Sequence, residues 1–350
     1  MPPAPTYSFN PFKGLSSEGA KWRFPVEEEE EVHAFHRTLP GYQSTPLGSL
    51  PGLSASLEVG NVLVKDESQR LGLNAFKVLG ARYAVYRILQ RRWQENFGSP
   101  LDFAQFLDTS QARRLGELTF CAATDGNHGK AVVWISRHQT MRCVVFVPAH
   151  ATKDRIMNIE AEQAHVIVVE GDYAATLVAA GQAARENGWT EVGDCVYEGY
   201  TEIPSWIQTG YETLFREIEE QTGQFGRPDF LFLQSRVGGF AAAAANHYAT
   251  QPGGNGGDKA PVLICVEPEE VAGCLASIMA PGGDLTSAAG NQDTIMAGLN
   301  CSDPSHTAWP ILKDSIDLFL SVSDNQAVSA MKYFASDGII SGESGAAWLV

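Results

Sequence analysis

A lysine after a glycine-containing turn is the first group in this sequence that could do covalent chemistry. Lys77 follows Gly72-Leu73-Asn74-Ala75-Phe76 and lies among apolar neighbours where a helix is predicted to begin. Desolvation and the positive end of the helix dipole both favour the neutral amine that a nucleophile needs. A lysine on a helix surface would have the same local sequence, so this window alone leaves both interpretations open.

A second polar turn follows a predicted strand that ends near Ala123, and it consists of Thr124-Asp125-Gly126-Asn127-His128-Gly129. Its small residues would let backbone N–H groups approach an anion at the start of the next helix, and Asn127 offers an amide to a ligand oxygen. Asp125 is a candidate base, although aspartate is also a common cap at such turns. His128 has no other histidine or cysteine at ligand spacing, so no metal site is predicted.

A third turn has the sequence order that suits a phosphate. The segment Gln234-Ser235-Arg236-Val237-Gly238-Gly239-Phe240-Ala241 predicts a strand end, a glycine turn and an alanine-rich helix. Exposed N–H groups, the lack of a Cβ and the helix dipole would together favour an anion there. Any tight connection could use glycines, but the spacing matches neither a Walker A loop nor a G-x-G-x-x-G fingerprint, which argues against ATP and NAD.

Composition excludes several classes of protein. The chain has 350 residues with 25 Lys+Arg against 41 Asp+Glu, a net charge of −16 that opposes nucleic-acid binding. The longest apolar stretch, Val237 to Ala245, is about half of the ~20 residues that cross a bilayer, and Met1-Pro2-Pro3 begins no secretory signal. The six cysteines are scattered without a C-x-x-C pair, which indicates buried reduced thiols and a cytoplasmic protein.

The elements that must position these residues alternate along the chain. A helix is predicted through Ala81–Tyr86, and short apolar strands recur at 62–64, 118–121, 143–147, 166–169, 230–233 and 262–266. Such strands suit a parallel sheet covered by helices on both faces. We therefore expect an α/β protein with two domains, each a mainly parallel open sheet flanked by helices: a discontinuous larger domain, 1–90 with 215–350, and a smaller one, 91–214.

The remaining segments are assigned no function. The first 40 residues are expected to be irregular, with an acidic run, Glu27 to Glu31, that starts a solvated helix. Surface loops are predicted at 251–257 and 280–283. The apolar ending Trp348-Leu349-Val350 suggests that the last elements of the fold are absent.

A reactive amine, an amide-bearing turn and a phosphate turn on one α/β chain indicate pyridoxal phosphate (PLP) held as a lysine Schiff base. The sequence resembles the diaminopropionate ammonia-lyases, which belong to the fold type II, tryptophan-synthase-β-like PLP enzymes. Motifs in order from about residue 40 to the end carry the resemblance: Val64–Ser68, Gly72–Lys77, Thr124–Gly129, Tyr197–Pro204, Thr294–Leu299 and Ile340–Gly345.

The resemblance implies specific roles. Lys77 matches the Schiff-base lysine, Asn127 the amide that contacts the phenolic oxygen of the cofactor, and Asp125 and Asp194 the acids on opposite faces of the substrate Cα. It further implies a homodimer acting on a small amino acid, a substrate carboxylate held by Thr124, Asp125, Gly126 and His128, and cofactor contacts from Arg236, Val237, Gly238, Gly239 and Glu343. The implied reaction is β-elimination of either enantiomer of 2,3-diaminopropionate to pyruvate and ammonia.

Two departures from the family pattern leave alternatives open. The family's phosphate turn is usually Gly-Val-Gly, and Arg236 replaces its first glycine. The arginine could pair with the phosphate, or its bulk could crowd the turn. The chain also ends before the family's last segment. A PLP β-eliminase, β-replacement enzyme or dehydratase for another small amino acid, and a non-catalytic homologue, therefore remain as alternative functions.

Overall fold

A computed structural model of the chain describes residues 6–15, 18–124, 126–149, 151–171, 173–250 and 260–349. The predicted loop at 251–257 lies outside these residues. In chain order, the strands of the described residues are β1 (Tyr7–Phe9), β2 (Leu47–Ser49), β3 (Leu63–Lys65), β4 (Thr119–Ala123), β5 (Arg142–Pro148), β6 (His165–Val169), β7 (Thr190–Glu191), β8 (Phe230–Gln234), β9 (Val262–Pro268) and β10 (Leu318–Val322).

The α-helices alternate with these strands. In the first half of the chain they are α1 (Val26–Thr38), α2 (Pro51–Ser56), α3 (Lys77–Phe97), α4 (Phe103–Leu107), α5 (Thr109–Arg113), α6 (Asn127–His138), α7 (Lys153–Glu160) and α8 (Tyr173–Asn187). In the second half they are α9 (Glu202–Gly210), α10 (Glu212–Gln221), α11 (Gly239–Thr250), α12 (Gly273–Met279), α13 (Trp309–Ser315), α14 (Asp324–Ser336) and α15 (Glu343–Ala346).

The chain divides into two compact units. Unit 1 comprises 1–29, 45–66 and 214–350, and unit 2 comprises 30–44 and 67–213. This division differs from the predicted one, because α3 packs against α6 and α9 and so places Lys77 in unit 2 rather than in unit 1. The predicted domain limits otherwise stay a prediction.

Unit 1 holds a four-stranded sheet in the order β1-β10-β9-β8, in which β10, β9 and β8 are parallel and β1 is antiparallel. One core of unit 1 packs Val266 of β9 and Val322 of β10 against Met296 and Ala327. A separate antiparallel pair, β2 and β3, adjoins a second core around Leu50 and Phe334.

Unit 2 holds a fully parallel sheet in the order β6-β5-β4-β7. Cys121 and Ala123 of β4 pack against Ala180 and Ala184 of α8. Since all four strands are parallel, their carboxyl ends meet at one edge, where α/β proteins place their sites.

Helix α3 approaches α9 closely within unit 2. A Cβ added at Gly80 would lie 2.5 Å from the Ile207 carbonyl oxygen, and one added at Gly210 would lie 2.6 Å from the Cα of Gly80. The two glycines therefore allow the helix that begins at Lys77 to lie against α9 without a gap.

The structure confirms the α/β class and has strands at the six predicted positions, with ends that differ by up to two residues. The strand predicted at 62–64 is the exception to the parallel arrangement, because β3 pairs antiparallel with β2 in a separate sheet. The N-terminal prediction was wrong in part, because residues 1–40 include β1 and the complete helix α1, which starts in the acidic run as expected. Acidic residues in the first turn of α1 suit the helix dipole. Among the described residues, no helix is both long and apolar enough to cross a membrane.

Candidate active site

The loop that leads into α3 is fixed by a buried arginine. Arg70 is only 1% exposed, and its Nε and Nη2 donate to the two carboxylate oxygens of Glu67 at 2.8 and 2.7 Å. Its Nη1 donates to the carbonyl oxygen of Gln43 at 3.2 Å. This two-point ion pair, together with a left-handed Gly72 (φ 76°), sets the path of the chain toward Lys77.

Lys77 is the first residue of α3, and its amine faces an acidic partner. Nζ lies 2.9 Å from Oδ2 of Asp194, while the side chain keeps 20% of its surface exposed. The rings of Phe76 and Tyr211 flank the amine, with centroids 5.6 and 5.5 Å from Nζ. A carboxylate at this distance favours the ammonium form, whereas desolvation favours the neutral amine, so the neutral amine stays a prediction.

Asp194 lies just beyond the carboxyl end of β7. The strand pairing continues through Val192, whose N–H donates to the Cys121 carbonyl oxygen of β4 at 2.8 Å. Asp194 follows two residues later and is 8% exposed. The sheet therefore brings the carboxylate to the edge where β4 ends, although the sequence around it resembles an ordinary turn.

His128, on the first turn of α6, bridges to the same loop. Its Nε2 lies 2.7 Å from the Val192 carbonyl oxygen, and its Nδ1 lies 4.0 Å from Oδ2 of Asp194. A carbonyl oxygen can only accept a hydrogen bond, so Nε2 must be the protonated nitrogen. Among the predicted substrate-binding residues, His128 thus lies within unit 2 beside Lys77 and Asp194.

The turn between β4 and α6 is held by the Thr124 hydroxyl. Thr124 Oγ1 accepts from the N–H groups of Gly126 and Gly129 at 3.1 and 3.2 Å. A Cβ at Gly129 would collide with the Thr124 methyl group, so this position needs glycine. Asn127 is exposed at the start of α6. Asp125 lies outside the described residues, and its role as a base stays a prediction.

In unit 1, the predicted phosphate turn joins β8 to α11. Gly238 has φ 96°, and a Cβ there would lie 2.7 Å from Leu312 Cδ1, so both backbone and packing require glycine. Gly239 begins α11, a helix of 12 residues. Arg236 is half-buried just before Val237, which is buried. A glycine turn at the start of a helix leaves N–H groups available to an anion.

Two further motifs of the sequence meet within unit 1. The Gly298 N–H donates to Ser344 Oγ at 3.0 Å, and this bond joins the Thr294–Leu299 segment to Ile340–Gly345. Thr294 Oγ1 in turn donates to Asp324 at 2.6 Å. Glu343 is exposed at the start of α15, so its predicted contact with the cofactor stays a prediction.

A buried carboxylate near the phosphate turn was not anticipated. Glu267, fully buried, accepts from the N–H groups of Cys274 and Leu275 at 2.9 and 2.8 Å at the start of α12. Burial raises its pKa to about 7. Ligand atoms of Cys265, Glu267 and Cys274 lie within 4.8 Å of one another. The predicted absence of a metal therefore stays a prediction. None of the six cysteines, all of which lie in the described residues, forms a disulfide; five are buried as expected, and Cys301 is partly exposed.

Comparison with known proteins defines the class. Residues 38–350 match the family described as pyridoxal-phosphate dependent enzyme, so the chain belongs to that family and its cofactor is pyridoxal phosphate.

Within that class, the chain is similar to diaminopropionate ammonia-lyases. The chain is 37% identical over 325 residues to a diaminopropionate ammonia-lyase of Salmonella typhimurium, covering 90% of this chain and 79% of that protein. It is 35% identical over 337 residues to that of Escherichia coli K12, covering 93% and 81%. A crystal structure of the Escherichia coli enzyme with an aminoacrylate-PLP azomethine intermediate has a TM-score of 0.83, with 31% identity over 99% of this chain and 85% of that chain.

Each unit holds residues that fit pyridoxal phosphate. Unit 2 offers an amine at a helix start, with enough exposure for a reacting group to reach it. Unit 1 offers a glycine turn in which a Cβ could not be accommodated, directly before a helix start. An amine is the kind of group that joins the aldehyde carbon of this cofactor, and N–H groups at a helix start can bind a phosphate.

The sequence interpretation missed several residues of this site. Arg70 was passed over because a buried arginine has no sequence signal apart from its partner at i−3, Glu67. Tyr200 lies within the Tyr197–Pro204 motif, but its residue type and position there do not indicate a role. A hydroxyl that bonds to backbone gives no pattern in sequence, because its partners there are not side chains.

Proposed function

We propose that this protein is a PLP-dependent ammonia-lyase that converts 2,3-diaminopropionate to pyruvate and two molecules of ammonia. The observation that carries the proposal is the pairing of Lys77 with Asp194, an amine and an acid both named by the resemblance, at 2.9 Å. The relatives at 35% and 37% identity are named diaminopropionate ammonia-lyases, which supports this proposal.

The reaction balances with one water. A base removes the Cα proton, the Cβ–N bond breaks, and the β-amino group leaves as ammonia. Water then replaces the α-amino group, giving pyruvate and the second ammonia. When bound, pyridoxal phosphate supplies the electron sink that acidifies the Cα–H bond.

The residues of this chain divide the remaining work. We assign Lys77 as the amine that bonds the cofactor, and Asp125 and Asp194 as the bases for the two enantiomers. Asp194 is buried beside Lys77, so it can hold a proton or pass one to that amine. We assign the substrate carboxylate to the turn formed by Thr124, Asp125, Gly126 and His128.

The cofactor contacts beyond Lys77 are also assignments. Asn127 would contact the phenolic oxygen, and Val237, Gly238 and Gly239 would bind the phosphate through backbone N–H groups. Arg236 would add a charge-assisted bond to the same phosphate, since its guanidinium is a good phosphate donor. Glu343 is also assigned as a cofactor contact.

The proposal also includes the assembly state and the cellular compartment of the protein. We propose a homodimer in the cytoplasm, and the absence of a disulfide among the described residues, which include all six cysteines, is consistent with a reducing compartment. Light scattering after gel filtration would measure the assembly, and a mass near that of one 37.8 kDa chain would contradict the dimer.

A substrate panel tests the function. Purified holoenzyme is given D- and L-2,3-diaminopropionate, D- and L-serine and L-threonine, and pyruvate or 2-oxobutyrate is measured. The proposal expects kcat/KM for both diaminopropionate enantiomers to exceed that for the hydroxy amino acids. Higher kcat/KM for serine or threonine would replace it with a dehydratase, and no product from any of the five would favour a non-catalytic protein.

A further inference from the structure

The loop that carries Asp194 is closed on itself by two tyrosines. Residues 197–200 form a tight turn in which the Tyr200 N–H donates to the Tyr197 carbonyl oxygen at 2.9 Å, with Gly199 in the left-handed region (φ 79°). This turn folds back onto residues 191–193. Its two rings stack, with centroids 4.8 Å apart and planes 13° from parallel.

The two hydroxyl groups bond to different kinds of partner. Tyr197 donates to the carboxylate of Glu191, a side-chain contact of 2.5 Å. Tyr200 accepts from the Gly193 N–H at 2.8 Å and donates to the Glu191 carbonyl oxygen at 3.1 Å. Tyr200 therefore bonds to backbone on both sides of Val192, immediately before Asp194.

These bonds hold a part of the chain that β-pairing does not. The pairing of β7 with β4 ends with the Val192 N–H, so the Gly193 N–H would otherwise have no strand partner. A Cβ at Gly193 would lie 3.7 Å from both Cε1 and the hydroxyl of Tyr200, so the tyrosine packs directly on this residue. Burial raises the pKa of Tyr200 well above its ordinary value, so the hydroxyl remains a donor at every working pH.

We infer that Tyr200 is a positioning residue that holds the Asp194 carboxylate against Lys77 by fixing the backbone at Glu191 and Gly193. This inference rests on the proposed function, in which Asp194 serves one enantiomer of the substrate. A shift in this backbone would move Asp194 relative to the reacting atoms, and small displacements of a base reduce its rate strongly. Tyr197 supports the turn without bonding to the backbone that precedes Asp194.

The test compares Tyr200→Phe with Tyr197→Phe, since each variant removes one hydroxyl from the same turn. The readout is the ratio of kcat values on D- and L-diaminopropionate, measured with the holoenzyme. This ratio does not depend on how much of a variant folds, so loss of stability cannot imitate the effect. Asp194→Asn defines which enantiomer Asp194 serves.

We expect Tyr200→Phe to lower kcat about tenfold for the enantiomer that Asp194 serves, with little change in KM. A tenfold change corresponds to the net free energy of about one hydrogen bond. Tyr197→Phe is expected to leave the ratio unchanged. In the double variant Tyr200→Phe with Asp194→Asn, the ratio should equal that of Asp194→Asn alone, because Tyr200 acts through Asp194.

The outcomes separate the inference from the proposed function. If Asp194→Asn shifts the ratio and Tyr200→Phe does not, the inference is overturned while the base assignment stands. Equal shifts from Tyr200→Phe and Tyr197→Phe would also overturn it, because the turn as a whole would then be responsible. If Asp194→Asn itself leaves the ratio unchanged, the base assignment fails and the inference fails with it.

Discussion

The Nζ atom of Lys77 lies 2.9 Å from Oδ2 of Asp194, although 117 residues separate the two in sequence. The parallel pairing of β4 with β7 makes this approach possible, because it brings the end of β7 beside the turn that leads into α6. An amine that can bond a cofactor and an acid that can take a proton are thereby placed within one hydrogen bond of each other.

Lys77→Ala is expected to abolish turnover and the visible absorbance that pyridoxal phosphate shows when joined to a lysine, because no other described amine is assigned to this site. Absorbance scans and pyruvate assays measure both effects. The control is Lys332→Ala, which removes an exposed lysine of α14 and should change neither. Turnover by Lys77→Ala near the wild-type rate would contradict the assignment.

Asp125→Asn and Asp194→Asn should reduce activity unequally on the two enantiomers of diaminopropionate. Each carboxylate is assigned to one face of Cα, and a positioned base contributes roughly 10²–10⁴-fold in rate. Initial rates with each enantiomer separate the effects. Small and equal losses in both variants would refute the two-base assignment and make Lys77 the base.

Arg236→Gly is expected to weaken cofactor binding, although it restores the usual family residue. Removing a charge-assisted contact to phosphate costs about 1.5–3 kcal/mol, which corresponds to a ten- to hundredfold rise in Kd. Titration of pyridoxal phosphate into the two apo proteins measures this difference. Tighter binding by Arg236→Gly would mean that the side chain crowds the turn.

Glu267 should make the folded protein less stable as pH rises from 4.5 toward 7. Its pKa is raised from 4.5 to about 7, so in this range the folded state keeps a proton that the unfolded state has lost. Stability falls with rising pH wherever the folded state binds more protons. The contribution is about 2–3 kcal/mol across this interval.

Glu267→Gln removes that dependence, because its amide does not titrate. As the pH rises from about 5 to about 8, we expect the free energy of unfolding of Glu267→Gln to increase relative to that of wild type by about 2–3 kcal/mol, because only the wild type loses the stabilising proton. Chemical denaturation at both pH values measures the change, and Glu269→Gln, at an exposed neighbour, is the control. A pH-independent difference would show that Glu267 ionises normally in the folded protein.

The sequence was sufficient for the strands and turns that carry the chemistry, because apolar runs such as 143–147 and glycine turns such as Gly238-Gly239 have local signals. It could not predict pairings that depend on the sheet order, such as Lys77 with Asp194. The neutral amine predicted for Lys77 follows from its own helix, whereas the Asp194 carboxylate beside it comes from a distant strand end. Glu267 and Tyr200 act on backbone N–H groups, which no residue pattern reveals.

The assignment of Lys77 as the lysine that bonds pyridoxal phosphate is tested by borohydride reduction followed by peptide mass spectrometry. Reduction of the holoenzyme fixes the cofactor to whichever lysine carries it. We expect one modified peptide, containing Lys77, and we expect it to disappear when the holoenzyme is first saturated with diaminopropionate. A label on another lysine, or no label on a protein that still releases ammonia, would show that Lys77 is not the Schiff-base lysine.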